Sequence, residues 1–235
     1  MNQNRIDPWA TLILIGMFVI VWVLWDTPIV YPIKIFVVTL HELGHATAAI
    51  VTGGEVVAIQ IFPDQGGLTL TRGGAEFIIL SAGYLGSVLA GGLLLYASSY
   101  RSWGRVLMSM LALLVALTTL LFIRNAFGLI FGMLVGATML FSAAKLSDVV
   151  NYYILRFIAV ASCLYALLDI RGDLFNPYAE QLAGFGVIND AIALERATGI
   201  SALIWAVLWM TISIVTLFYF LRLSARVKHE DPKGL

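Results

Sequence analysis

The chain has 235 residues, 60% hydrophobic and only 12% charged, with a mean hydropathy of +0.93. Soluble domains carry roughly one-quarter charged residues, so the composition excludes an ordinary soluble protein and points to a multi-pass integral membrane protein, expected in a cell membrane of bacterial type. The 14 basic and 14 acidic residues cancel, which leaves no basic field for nucleic acid; partners are expected within the lipid bilayer.

Crossing about 30 Å of hydrocarbon takes roughly 20 apolar residues. Such runs fall near 9–25, 31–52, 76–98, 104–122, 126–143, 152–170 and 200–221. The expected fold class is therefore an all-α polytopic membrane protein of about six to seven transmembrane helices, forming a single membrane-embedded domain over 1–235. The first run has no small-residue cleavage site behind it and reads as a span, not a removed signal. The fourth and fifth are divided only by "IRNAFG", as two spans or one hinged pair. Cys163, the single cysteine, lies in an apolar run, which excludes a disulfide framework and a cysteine-based zinc site.

Between the second and third runs, "EVVAIQIFPDQGGLTLT" (55–71) places β-branched and apolar residues around a Pro-Asp-Gln-Gly-Gly turn cluster and reads as a β-hairpin. Residues 171–199 form either a surface loop or a re-entrant segment, with a short helix from about Asn189 to Thr198 ended by Gly199. Residues 222–235 make a charged C-terminal tail.

The chemistry sits in "HELGH", residues 41–45. Residues four apart on a helix lie one above the other, so His41 and His45 project from one face and can share a metal ion. Neutral imidazole is a good zinc ligand. Glu42 then stands beside the metal, where a carboxylate can take a proton from an attacking water and pass it to a leaving amine. Gly44 is expected to leave the helix surface open to a substrate backbone. The competing reading is a buried hydrogen-bonded network or proton relay, but three ionisable groups within five residues of a membrane helix need an organising partner, which a divalent metal supplies.

A catalytic zinc site wants three protein ligands and one open position. His229, the only other histidine, lies in the tail and reads as solvated, so the third ligand should be a carboxylate. Asp148 is explained by the helix dipole at the start of a span. Asp169 and Asp173 flank Arg171 and read equally as an interfacial ion pair. Asp190 could be an N-terminal helix acid, yet it follows a glycine-rich approach that can carry a carboxylate into a membrane site.

Through "HELGHATAAIVTGGEV", "IQIFPDQGGLT", "SAGYLGSVLAGG" and "NDAIALERATGISALIWAVLW" the chain resembles the peptidase M50B-like group of membrane proteins, relatives of the site-2 intramembrane zinc metalloproteases. The resemblance runs from about residue 38 to the end of the last span. It implies that His41 and His45 bind Zn2+ and that Glu42 is the general base. In "AGYLGS", Gly83 and Ser87 fit the spacing of a site-adjacent segment, with Tyr84 where the wider protease family has proline. The family's Leu-Asp-Gly motif is absent; "INDA" is its nearest match in context and "LLDIRG" in letters, and resemblance to a Ser-Asp-Ala pattern favours Asp190 over Asp169 as third ligand. It also implies that the hairpin lies against the site and pairs with an unwound substrate.

The leading expectation is an intramembrane zinc metalloprotease acting on a transmembrane or membrane-proximal polypeptide. The alternatives are a metal-binding scaffold or assembly factor that does not cleave peptides, and a small ion or proton transporter using His41, Glu42, His45 and Asp190. The tryptophans near span ends read as interfacial anchors.

Overall fold

The computed structural model describes residues 7–174 and 189–226. The glycine-rich approach before Asn189, His229, the end of the charged tail and the Asp173 side chain lie outside the described residues.

Eight α-helices and one hairpin are present among them: α1 Pro8–Leu24, α2 Tyr31–Val51, β1 Glu55–Ile61, β2 Gly67–Arg72, α3 Glu76–Ala97, α4 Gly104–Phe122, α5 Ala126–Lys145, α6 Asp148–Leu174, α7 Asp190–Thr198 and α8 Ala202–Arg226. Within the described α-helices proline occurs only in first turns: Pro8 opens α1, where the Asp7 carboxylate accepts the amides of Trp9 and Ala10, and proline again opens α2.

Six of these helices are long and apolar enough to cross a membrane. The seventh apolar helix, α1, has 17 residues, about 25 Å at 1.5 Å per residue, and falls short of the hydrocarbon thickness. The Asp7 amide donates to the Ala225 carbonyl at 3.0 Å, so α1 begins at the end of the bundle where α8 finishes.

Two-thirds of α2 and of α6 is buried, against one-third of α4, α5 and α8, so the HELGH helix and α6 are the central pair. Ile35, Val37 and Val38 of α2 pack in one cluster with Met108 and Ala112 of α4 and Leu155 of α6. Large apolar side chains on α4 and α8, such as Leu113, Leu120, Leu203 and Phe218, stay exposed, which in this composition is the face for lipid.

The hairpin belongs to the same core. Ile59 and Ile61 of β1 are fully buried in the α2–α4 cluster. The strands pair antiparallel, with Ile59 opposite Thr69 and Ile61 opposite Gly67. Gln65, at φ 72°, and the Asp64 carboxylate accepting the Gly66 amide close the turn. The outer edge of β1 is occupied: Ile59 bridges to Ile123, the Arg124 amide donates to the Ile59 carbonyl at 3.0 Å, and the Asn125 side chain bonds both the amide (3.1 Å) and the carbonyl (2.6 Å) of Ile61. "IRNAFG" thus separates two helices, α4 and α5, and anchors the hairpin between them.

Candidate metal centre

The helical repeat of α2 stacks His41 and His45, and both are buried together with Glu42. One ligand atom from each of the three lies within 4.8 Å of the others, a group able to hold a metal ion. From α7, Asp190 enters the same space: its Oδ2 is 3.1 Å from His41 Nε2 and 3.3 Å from His45 Nε2. Asn189 makes this entry by capping α7, its side chain accepting the Ile192 amide at 2.9 Å, which places Asp190 in the first helical position. Burial works to raise the Asp190 carboxyl, but the charges and hydrogen bonds of His45 and His41 outweigh it and hold the group below the usual carboxylate range.

The donor set fits zinc. Four ligands at about 2.0–2.1 Å in a tetrahedron lie about 3.3 Å apart, close to the two separations from Asp190. The helix beneath leaves room: a Cβ on Gly83 would collide with His41 Nε2 and come within 2.5 Å of His45 Nε2. His45 is oriented from behind, its Nδ1 2.7 Å from the Ile79 carbonyl, which fixes the ring with Nε2 toward the site.

Glu42 is held on the hairpin side. Thr69 Oγ1 donates to Glu42 Oε2 at 2.7 Å and lies 3.1 Å from the Glu42 carbonyl. Two residues earlier on β2, a Cβ on Gly67 would fall 2.7 Å from Glu42 Cδ, so any side chain there would displace this carboxyl. The groups open into a cleft of about 720 Å³ between α2, the hairpin, α3, α6 and α7.

Of the other residues singled out in the sequence, Asp169 lines this cleft from α6. Asp148 is at the opposite end of α6, where it accepts the Arg105 amide at 3.0 Å. Ser87 is one turn beyond Gly83, fully buried, its hydroxyl donating to the Gly83 carbonyl at 2.8 Å. Tyr84 fills the place expected for proline with a buried ring 4.8 Å from the His41 ring, edge to face. The expectation for Gly44 is corrected: a Cβ there would strike the Ala82 carbonyl, so Gly44 serves close contact between α2 and α3 and does not face a substrate.

Thr69, Gly67 and the Ile79 carbonyl were not singled out in the sequence. A glycine and a threonine two apart in a strand share one face, but the residue they face is decided by how the hairpin folds back on α2.

Six apolar crossing helices around a buried His-Glu-His group define a multi-pass integral membrane protein with a candidate metal centre. The family model Peptidase M50B-like matches residues 14–220, and the chain belongs to that family. No curated protein and no solved structure matches it. Membership supports a metallopeptidase of the site-2-protease-like kind in general terms.

Proposed function

We propose that the protein is an intramembrane zinc metalloprotease, with His41, His45 and Asp190 as the zinc ligands and Glu42 as the general base, hydrolysing peptide bonds of membrane-embedded or membrane-proximal polypeptides. The observation that carries this reading is the meeting of Asp190 with both imidazole nitrogens at 3.1 and 3.3 Å, two histidines and one carboxylate being a donor set of catalytic zinc. Bound there, zinc supplies Lewis acidity, polarising the scissile carbonyl and making water a nucleophile near neutral pH.

The chain's own groups do the rest. The Glu42 carboxylate accepts the proton of the attacking water and returns it to the departing amine. The Thr69 hydroxyl fixes one of its oxygens and Gly67 gives it space, so the other oxygen is free to take the proton. With the outer edge of β1 taken up by the α4–α5 link, β2 is the edge strand beside the cleft. A polypeptide unwound from its helix can add to that edge through main-chain hydrogen bonds, which selects for extended backbone and tolerates many sequences.

The test is to reconstitute wild-type and Glu42→Gln protein in liposomes with single-span membrane polypeptides and to map new N-termini by mass spectrometry. Cuts made by the wild type and absent with Glu42→Gln, both forms holding equal zinc, support the protease. Equal zinc with no cuts by either favours a metal-binding scaffold, and a zinc-free wild type favours an ion or proton path through the same four residues.

A further inference from the structure

The residues that touch Glu42 are not independent of the rest of the hairpin. Thr69, whose hydroxyl meets the carboxylate at 2.7 Å, is the cross-strand partner of Ile59, and Gly67, which makes room for it, is the partner of Ile61. Ile59 and Ile61 are the two β1 residues gripped from the far side: Ile59 by its bridge to Ile123 and the Arg124 amide, Ile61 by both ends of the Asn125 amide. The α4–α5 link, two residues of β1, two of β2 and the Glu42 carboxylate thus form consecutive rows in matching register.

We propose that Asn125 and Thr69 are positioning residues for Glu42, the α4–α5 link setting the depth of the hairpin and the hairpin forming the seat of the carboxylate. The inference rests on the reading of Glu42 as the group that moves the proton. A two-stranded hairpin is marginal by itself, and its placement against a buried carboxylate requires an external anchor. Asn125 is built for that purpose, since a side-chain amide can donate and accept at once and so completes the edge of β1 at a single residue. Ile59 and Ile61, fully buried, transmit the placement through the strand without slack. The bond from Thr69 occupies one oxygen of the carboxyl, and it leaves Glu42 the other for the proton.

The experiment uses the full chain in detergent with Thr69→Val, Thr69→Ser and Asn125→Ala, and reads three quantities: zinc content, amide exchange over 55–72, and kcat and KM on fluorescein-labelled casein, an unfolded polypeptide. Thr69→Val is expected to lower kcat about 10–100-fold, with KM and zinc unchanged, and Thr69→Ser to restore it. Asn125→Ala is expected to speed exchange at 67–69 as well as 59–61 and to lower kcat in the same way. Unchanged kcat in Thr69→Val, or unchanged exchange at 67–69 in Asn125→Ala, overturns the proposal. If the wild type does not cut casein, the protease reading is left to the liposome experiment, and the seat is judged by thermal unfolding of Thr69→Val, Glu42→Gln and the double variant. Non-additive Tm shifts sustain the contact, and additive shifts overturn it.

Discussion

Asp190 Oδ2 stands 3.1 Å from His41 Nε2, although 149 positions separate the two residues in the chain. The contact joins the HELGH helix to a nine-residue helix that follows α6 in the sequence, and nothing but tertiary folding brings them together. If zinc is bound here, Asp190→Ala removes one of three protein ligands and weakens zinc binding by at least about 100-fold, whereas Asp169→Ala leaves zinc stoichiometry near the wild-type value. Elemental analysis of the two purified variants decides between these carboxylates.

Gly83 provides a different probe of the same site. An alanine methyl at this position would occupy the space next to both imidazole Nε2 atoms. Gly83→Ala is expected to abolish zinc binding while helical content, read by far-ultraviolet circular dichroism, stays that of the wild type. Retention of full zinc would place the metal away from the imidazole nitrogens.

Gly44 should behave differently although it lies inside the motif. Its missing Cβ accommodates the Ala82 carbonyl, so Gly44→Ala overpacks α2 against α3 and costs about 1–3 kcal/mol. The apparent Tm falls, and the zinc retained by the folded fraction does not.

At the other end of the bundle Arg156 is buried on α6, donating to Tyr152 Oη at 3.1 Å and to Ser224 Oγ at 2.7 Å, so α6 and α8 are tied through one guanidinium. Arg156→Gln cannot span both partners and is expected to cost about 2–4 kcal/mol. The loss appears as a lower Tm in detergent, with zinc content unchanged.

The histidine pair and Glu42 were legible because their chemistry is local: two residues one turn apart on a helix share a face in any fold that keeps the helix. Asp190 was legible only as one of several carboxylates, and likeness to other sequences, not spacing, set it ahead of Asp169. Thr69 and Gly67 were hidden because their roles lie across space, in the face β2 turns toward α2. Asn125 sat in a stretch that reads only as an interruption between apolar runs, since a side chain completing a strand edge has no local pattern. Gly44 was misread for the related reason that a glycine facing a neighbouring helix and one facing a cleft are identical in sequence. The spans followed the same logic: hydropathy marks seven runs, and the first folds into a 17-residue helix shorter than the six candidate spans.

The measurement that bears most directly on the central claim is the zinc K-edge absorption spectrum of the wild-type protein purified without chelators. The account predicts about one zinc per chain, with two imidazoles and carboxylate or water oxygen at about 2.0–2.1 Å, and loss of the imidazole scattering in His45→Ala. A wild-type protein free of zinc, or a zinc whose surroundings are unchanged by His45→Ala, would contradict it.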